Sequence, residues 1–260
     1  MTRIIRFTPN PATPPTAPDG YPDVFCGVLD GEVARSRDGR AWPLAGIHLL
    51  PPCSPSKIVC VGRNYIEHVK ELGNEVPPEP LIFLKPRSAL LGHEGAIEYP
   101  LLSSNVHHEG ELGVIIAKRA RRVDAASAME YVLGYTCVND VTARDLQKRD
   151  GQWTRGKGFD TFCPVGPWIV PKKEVDFSRL RIRTWVDGEL RQDAPVSDMI
   201  FSVETILAFI SQCMTLEPGD LIATGTPPGV GPLQIGCEVA VEIEGIGVLR
   251  NRVVRANAVE

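Results

Sequence analysis

His107-His108-Glu109-Gly110-Glu111-Leu112-Gly113-Val114-Ile115-Ile116 is the stretch on which the reading of this chain turns. Its second half is apolar and β-branched, the signature of a strand entering a core. If the strand starts at His107, residues two apart face the same way. His107, Glu109 and Glu111 then share one side, with the glutamate Cα atoms about 7 Å apart. Two carboxylates aimed at one place repel each other. They are tolerated when protonated, when paired with cations, or when they hold a hard cation. On spacing alone, an exposed strand end with two solvated acids is the plain alternative.

Working outward, VNDVTARD sets Asp140 directly after another apolar run, 135–139. Two glutamates and an aspartate from neighbouring strand ends make a facial, all-oxygen site. Such a donor set suits Mg²⁺, Mn²⁺ or Ca²⁺ and not a soft metal.

Upstream, in GRNYIEHVKELG (62–73), His68 and Glu71 stand three apart on a short helix expected over 65–72, with Gly73–Asn74 as its stop. A carboxylate beside an imidazole orients it and raises its basicity, as a general base requires. An ordinary surface pair is the commoner use of that spacing. Pro77–Pro78 beyond it suggest a hinged segment able to close over a site.

Downstream, WTRGKGFDTFCPVGP (153–167) presents Lys157 between Gly156 and Gly158 on a glycine-rich loop. Near a metal such an ammonium steadies an enolate or a substrate carboxylate; elsewhere it is simply solvated. ATGTPPGVGP (223–232) lacks the lysine of a P-loop and the spacing of a dinucleotide loop. Its Thr226 hydroxyl and its backbone N–H groups are the right kind to donate to a carboxylate. No G-x-S-x-G and no H-E-x-x-H occurs, which removes two common hydrolase routes.

Around these motifs the chain reads as α+β and β-rich. Residues 1–55 form a small β module: apolar pieces at 4–7 and 24–29, a proline-rich loop over 9–22, an Asp30–Gly31 hairpin turn before 32–34, and 42–50 ending at Pro51–Pro52. Residues 56–260 form the main body. Strands are expected at 57–61, 81–84, 112–117, 134–139, 220–223, 238–243 and 248–254, and helices at 65–72, 125–133 and, most regular, 202–214.

With 260 residues and 28.4 kDa, the chain is one large domain or a domain with an appendage. A net charge of −4 and a pI near 5.8 speak against a nucleic-acid partner. No run approaches the roughly 18 apolar residues of a membrane helix. The first twenty residues lack the apolar core of a secretory signal. Seven scattered cysteines without a C-x-x-C pair read as buried free thiols in a reducing cytosol, so a cytoplasmic location is expected.

The ordered set CVGRNY, then H and E of the 65–72 helix, HHEGELG, DVTARDLQ, KGFDTFCP, GELRQ and TGTPPGVGP resembles the fumarylacetoacetate hydrolase family over residues 56–255. It is most similar to the branch containing acylpyruvate hydrolases, oxaloacetate decarboxylases and 2-hydroxyhepta-2,4-diene-1,7-dioate isomerases. The resemblance implies a mixed β-sandwich or roll with short helices, assembled as a homodimer. It implies that Glu109, Glu111 and Asp140 bind Mg²⁺ or Mn²⁺, with Ca²⁺ as a substitute. It makes His68 and Glu71 a catalytic dyad on a lid, Lys157 the lysine beside the metal, and Arg144, Gln147 and Thr226 contacts for a small 2-oxo acid. The implied chemistry is acylpyruvate C–C hydrolysis or oxaloacetate decarboxylation, with dienedioate isomerisation or oxaloacetate tautomerisation as alternatives. A metal-holding binding module without turnover, using the same acids, is the reading from another class.

Overall fold

The architecture of the computed structural model, which describes residues 1–9 and 24–256, follows from one strand that is buried along its whole length, Gly110–Ile116. It is flanked on both sides, by Val132–Asn139 and by Leu221–Ala223, so neither edge meets water. Its side chains alternate between two interiors. Leu112, Val114 and Ile116 enter a core shared with Ile182, Val241 and Leu249. Ile115 enters another with Ile58, Cys60, Val138 and Ile169. Truncating one of these fully buried side chains to alanine costs about 2–5 kcal/mol.

The strand is central to a large sheet. Its order runs Ala41–Pro43, Val33–Ser36, Phe25–Asp30, Arg3–Pro9, Cys163–Pro171, Val132–Asn139, Gly110–Ile116, Leu221–Ala223, Ile58–Gly62, Leu81–Lys85. A second sheet, Glu189–Pro195, Arg181–Val186, Glu238–Ile243, Gly247–Arg255 and Ala96–Tyr99, packs across the first core. A third small sheet joins Thr142–Ala143, Val106–His108 and Gly231–Pro232. Pairs are mostly antiparallel, but Leu221–Ala223 lies parallel to Ile58–Gly62, and Gly247–Arg255 parallel to Ala96–Tyr99. This is the β-rich α+β arrangement of several sheets and short helices.

The N-terminal strands keep a cluster of their own around Ile5, Phe7, Leu29 and Ala34, yet Arg3–Pro9 also pairs with Cys163–Pro171 and so continues the large sheet. Most of the proline-rich 9–22 segment lies outside the described residues. The helix Val203–Cys213 forms as its pattern predicts. Ser202 caps it by accepting from Thr205 N–H at 3.4 Å, and Val203, Ile206, Leu207 and Ile210 supply the buried stripe. Among the described residues no helix is long and apolar enough to cross a membrane.

One expected element is corrected. The helix foreseen over 125–133 is only Ala125–Ala128, followed by a 3₁₀ turn at Met129–Tyr131. Val132 and Leu133 already belong to a strand, because Val132 pairs with Ile116 and sheet pairing overrides the local helical pattern. The longest strands that the sequence reading left unassigned are Ala96–Tyr99, Cys163–Pro171, Arg181–Val186 and Glu189–Pro195.

Candidate metal and substrate site

The decisive stretch is not one strand. Val106–His108 belongs to the small sheet, Gly110–Ile116 to the large one, and Glu109 is the link between them. The crossing is pinned by backbone bonds. Glu109 N–H donates to Asn139 Oδ1 at 2.9 Å, Asp140 N–H donates to Glu109 C=O at 2.8 Å, and Gly110 N–H donates to Gln192 Oε1 at 2.9 Å. The kink corrects the placement of His107, whose Nε2 turns to Asn105 Oδ1 at 3.0 Å and which does not line the cavity. Burial, helped by Arg144, pushes that imidazole down to about 4, so it is neutral at physiological pH.

Glu109 and Glu111 still reach one place, joined by Asp140 from the end of the Val132–Asn139 strand. One carboxylate oxygen from each lies within 4.8 Å of the others, and all three residues are buried. The antiparallel register Gly110↔Asn139 and Glu111↔Val138 brings these strand ends together.

Like charges this close in a buried place demand cations. Arg144 Nη2 donates to Glu109 Oε1. Lys157 Nζ bridges Glu109 Oε2 at 2.7 Å and Asp140 Oδ2 at 2.6 Å. Lys85 Nζ, itself fully buried, donates to Asp140 Oδ1 and to Val141 C=O. Glu111 is different: its one donor among the described residues is Gly225 N–H, at 2.8 Å from Oε2. Burial, then the charges of Asp140 and Glu109, push its carboxyl well above the usual carboxylate range. Burial acts the same way on Glu109, but Arg144 and Lys157 outweigh it and hold that carboxyl well below the range. Lys157 is raised despite burial, because Asp140 and Glu109 face it.

A divalent cation fits this donor set. Three oxygen ligands converge, and among the described residues Glu111, unlike its two neighbours, makes no salt bridge. Hard oxygen donors match Mg²⁺ or Mn²⁺.

The acids floor a cavity of about 280 Å³. His68 lines it, buried on the short helix Ile66–Glu71, with Nδ1 3.1 Å from Glu71 Oε2. Glu71 Oε1 accepts from Gly229 N–H at 3.0 Å, tying this helix to the 224–232 loop. Gln147 lines the cavity too, and its Oε1 accepts from Arg144 Nη1 at 3.0 Å, so the amide N–H₂ is the group it has left for a ligand. Thr226 is present, but its hydroxyl donates to Gly110 C=O at 2.8 Å and accepts from Gln192 Nε2 at 2.7 Å. The donors from this loop to carboxylates are backbone N–H groups, Gly225 to Glu111 and Gly229 to Glu71. Lys157 sits on a helical turn, Thr154–Lys157, rather than a loop. Gly156 is needed there, since a Cβ would come 2.9 Å from the backbone nitrogen of Gln147.

Sequence reasoning missed Lys85 and Gln192. Lys85 announces itself only as a lysine ending an apolar strand, Leu81–Lys85. Gln192, 1% exposed, joins the Gly110 backbone to the Thr226 loop; its one signal was its place in the GELRQ motif.

Residues 57–254 match the model of the fumarylacetoacetate (FAA) hydrolase C-terminal family. The chain belongs to that family. It is 49% identical over 195 residues to the mitochondrial oxaloacetate decarboxylase of Dictyostelium discoideum, covering 73% of this chain and 89% of that protein. The crystal structure of a 2-hydroxyhepta-2,4-diene-1,7-dioate isomerase from Mycobacterium marinum superposes with a TM-score of 0.86 at 45% identity, covering 99% of this chain and all of that one. Fumarylpyruvate hydrolase from Pseudomonas aeruginosa, solved with Mn²⁺ and pyruvate, gives a TM-score of 0.74 at 36% identity, covering 80% and 92%. These relatives are enzymes, and so is this chain; the binding module without turnover is set aside.

Proposed function

We propose that the protein is a Mg²⁺-dependent enzyme of small 2-oxo acids, an acylpyruvate C–C hydrolase, an oxaloacetate decarboxylase, or both. Mn²⁺ serves in place of Mg²⁺, and Ca²⁺ occupies the same ligands. The observation that carries this is the buried trio Glu109, Glu111 and Asp140, with Glu111 in no salt bridge among the described residues. When bound, the divalent ion supplies Lewis-acid polarisation of the 2-oxo group and so steadies an enolate.

The chain's own residues do the rest. Arg144 and Gln147 orient the C1 carboxylate from the helix Arg144–Asp150. Lys157 holds an ammonium beside the carbonyl oxygen on which negative charge develops. For an acylpyruvate, His68 takes a proton from water, with Glu71 at Nδ1 steadying the imidazolium, and the water oxygen attacks the distal carbonyl. The C–C bond then breaks to pyruvate enolate and a carboxylic acid. For oxaloacetate the bond to CO₂ breaks and no water attack is needed. Isomerisation is favoured as a second reading by the likeness to the Mycobacterium marinum isomerase, and oxaloacetate tautomerisation belongs with it, since both need only proton transfer. The same proposal includes a homodimer in the cytoplasm.

The test is incubation with acetylpyruvate and with oxaloacetate, with and without Mg²⁺, following the enol absorbance and pyruvate. Metal-dependent loss of absorbance with pyruvate released supports hydrolysis or decarboxylation. Loss without pyruvate supports proton transfer alone. No loss above background in Mg²⁺, or full turnover in excess EDTA, overturns the proposal.

A further inference from the structure

We infer that Gln192 is a positioning residue: one buried amide, which does not line the cavity, holds the metal-binding acids and the His68–Glu71 helix in register with each other. That role rests on the proposed divalent-ion site and deepens it.

The orientation of the amide is set by partners that have no choice. Gly110 N–H can only donate, so the atom it meets at 2.9 Å is Oε1; Pro227 C=O can only accept, so the atom it meets at 2.8 Å is Nε2. His108 Nδ1, 3.3 Å from Oε1, therefore carries a hydrogen and donates it. Thr226 Oγ1 accepts from Nε2 at 2.7 Å and gives its own hydrogen to Gly110 C=O at 2.8 Å. Both acceptor sites and both donors of the amide are used. It reaches the N–H of Gly110 directly and the C=O through one hydroxyl.

Gly110 is the residue between Glu109 and Glu111. Its backbone lies so close to the second sheet that a Cβ would come 2.2 Å from Thr184 Oγ1. Holding that peptide holds the spacing of the two glutamates, as partners behind metal ligands do elsewhere.

The second sheet is shaped for the task. Thr184 pairs with Gln192 but Trp185 with Leu190, so Arg191 is an extra residue, a bulge in the strand Glu189–Pro195. A bulge re-aims the side chains beside it. Here it also brings Arg191 C=O against Gly229, where a Cβ would come 2.0 Å from that oxygen. Gly229 N–H is the donor to Glu71, and Gly225 N–H of the same loop is the donor to Glu111. Arg191 and Gln192 thus seat the turn between two metal ligands and the loop that grips the helix of the general base.

The experiment measures Mg²⁺ affinity by calorimetry and amide exchange in the metal-free protein, at a temperature where every variant is folded. Gln192→Met keeps the length of the side chain and removes all four bonds. It is expected to weaken Mg²⁺ binding by about 10–100-fold and to lower protection of Ile66–Glu71 at least about threefold more than that of Val203–Cys213. Gln192→Glu keeps the oxygen that Gly110 and His108 donate to, and is expected to bring Mg²⁺ affinity back to within about threefold of the parent. Ile210→Val, fully buried in the first core, supplies a structural loss outside the site and is expected to leave Mg²⁺ affinity unchanged. If Gln192→Met does not fold, Thr226→Val, which removes the hydroxyl between Gln192 and Gly110, is expected to weaken Mg²⁺ in the same direction, and no change there overturns the inference. So does Mg²⁺ affinity or helix protection unchanged in Gln192→Met, a Gln192→Glu variant as weak as Gln192→Met, or an equal loss in Ile210→Val. A parent protein that binds no Mg²⁺ refutes the metal site itself, and this role with it.

Discussion

The floor of the cavity and the helix above it are built to different standards of rigidity. Glu109, Glu111 and Asp140 sit at the ends of paired strands, and their positions follow from sheet register and a set of buried bonds. His68 and Glu71 sit on a six-residue helix, too short to be stable alone. It is held by the Tyr65↔Met199 bridge, the Asn64 bonds and the Glu71 contact with Gly229 N–H. The difference suits the tasks. Ligand oxygens must stay converged whether or not anything is bound, whereas a general base over a small cavity must let substrate in and products out.

The sharpest way to break this contrast is on the floor. Glu111→Ala removes Mg²⁺ binding and turnover together, the first by calorimetry and the second by enol absorbance. Turnover surviving in that variant ends the assignment. Glu111→Gln tests the electrostatics. In the metal-free protein the Glu111 carboxyl is raised above its ordinary 4.5, so the folded state binds more protons than the unfolded one. Its contribution is complete below pH 4.5 and is lost as pH rises toward the folded-state value. Glu109, lowered, works in the opposite sense: its contribution is present above 4.5 and fades in acid. Between pH 5 and 8 metal-free Glu111→Gln is therefore expected to unfold at a higher temperature than the parent, by a margin that grows with pH, and saturating Mg²⁺ closes the gap. An equal shift at every pH refutes this account.

The next effect falls on the helix. His68→Ala is expected to slow water-dependent acylpyruvate cleavage by about 10²–10⁴-fold while Mg²⁺ affinity is unchanged. Oxaloacetate decarboxylation, which needs no attacking water, falls much less. Equal losses on both substrates show that His68 acts as structure and not as the base.

How much of this contrast was legible beforehand depends on range. Glu109-Gly110-Glu111 and His68…Glu71 are local spacings, and Asp140 follows an apolar run whose neighbour is readable, so each site element could be picked out from a few residues. The kink at Glu109 was not, because it is enforced by Asn139 and Gln192, distant in the chain. Lys85 was invisible for the same reason: its partner Asp140 is 55 residues away. The strand Arg181–Val186 alternates buried and half-buried positions, but its register is fixed by Glu238–Ile243, far downstream.

Lys85→Met sharpens the floor side further. It leaves Asp140 with one ammonium fewer in a buried place, and breaking such a pair costs about 3–5 kcal/mol. Urea unfolding of the metal-free protein is expected to show a loss in that range, with Mg²⁺ recovering part of it. A loss below about 1 kcal/mol, the scale of an exposed pair, would mean that Lys157 alone satisfies Asp140.

The smallest effect compares the two regions in one experiment. Amide exchange, with and without saturating oxalate and Mg²⁺, reads the helix and the floor strand together. Residues 65–79 are expected to open locally at lower cost than the sheet, and a ligand gripped between floor and helix adds to that cost. A gain of about tenfold in protection there corresponds to roughly 1.4 kcal/mol of local stabilisation. Gly110–Ile116 lies inside the large sheet and exchanges only through much larger openings, so any gain there reflects global stabilisation and is seen equally at Val203–Cys213. Protection rising at 65–79 beyond that common background marks a lid. Equal protection of 65–79 with and without oxalate means that the helix is as rigid as the sheet beneath it, and that substrate enters by another route.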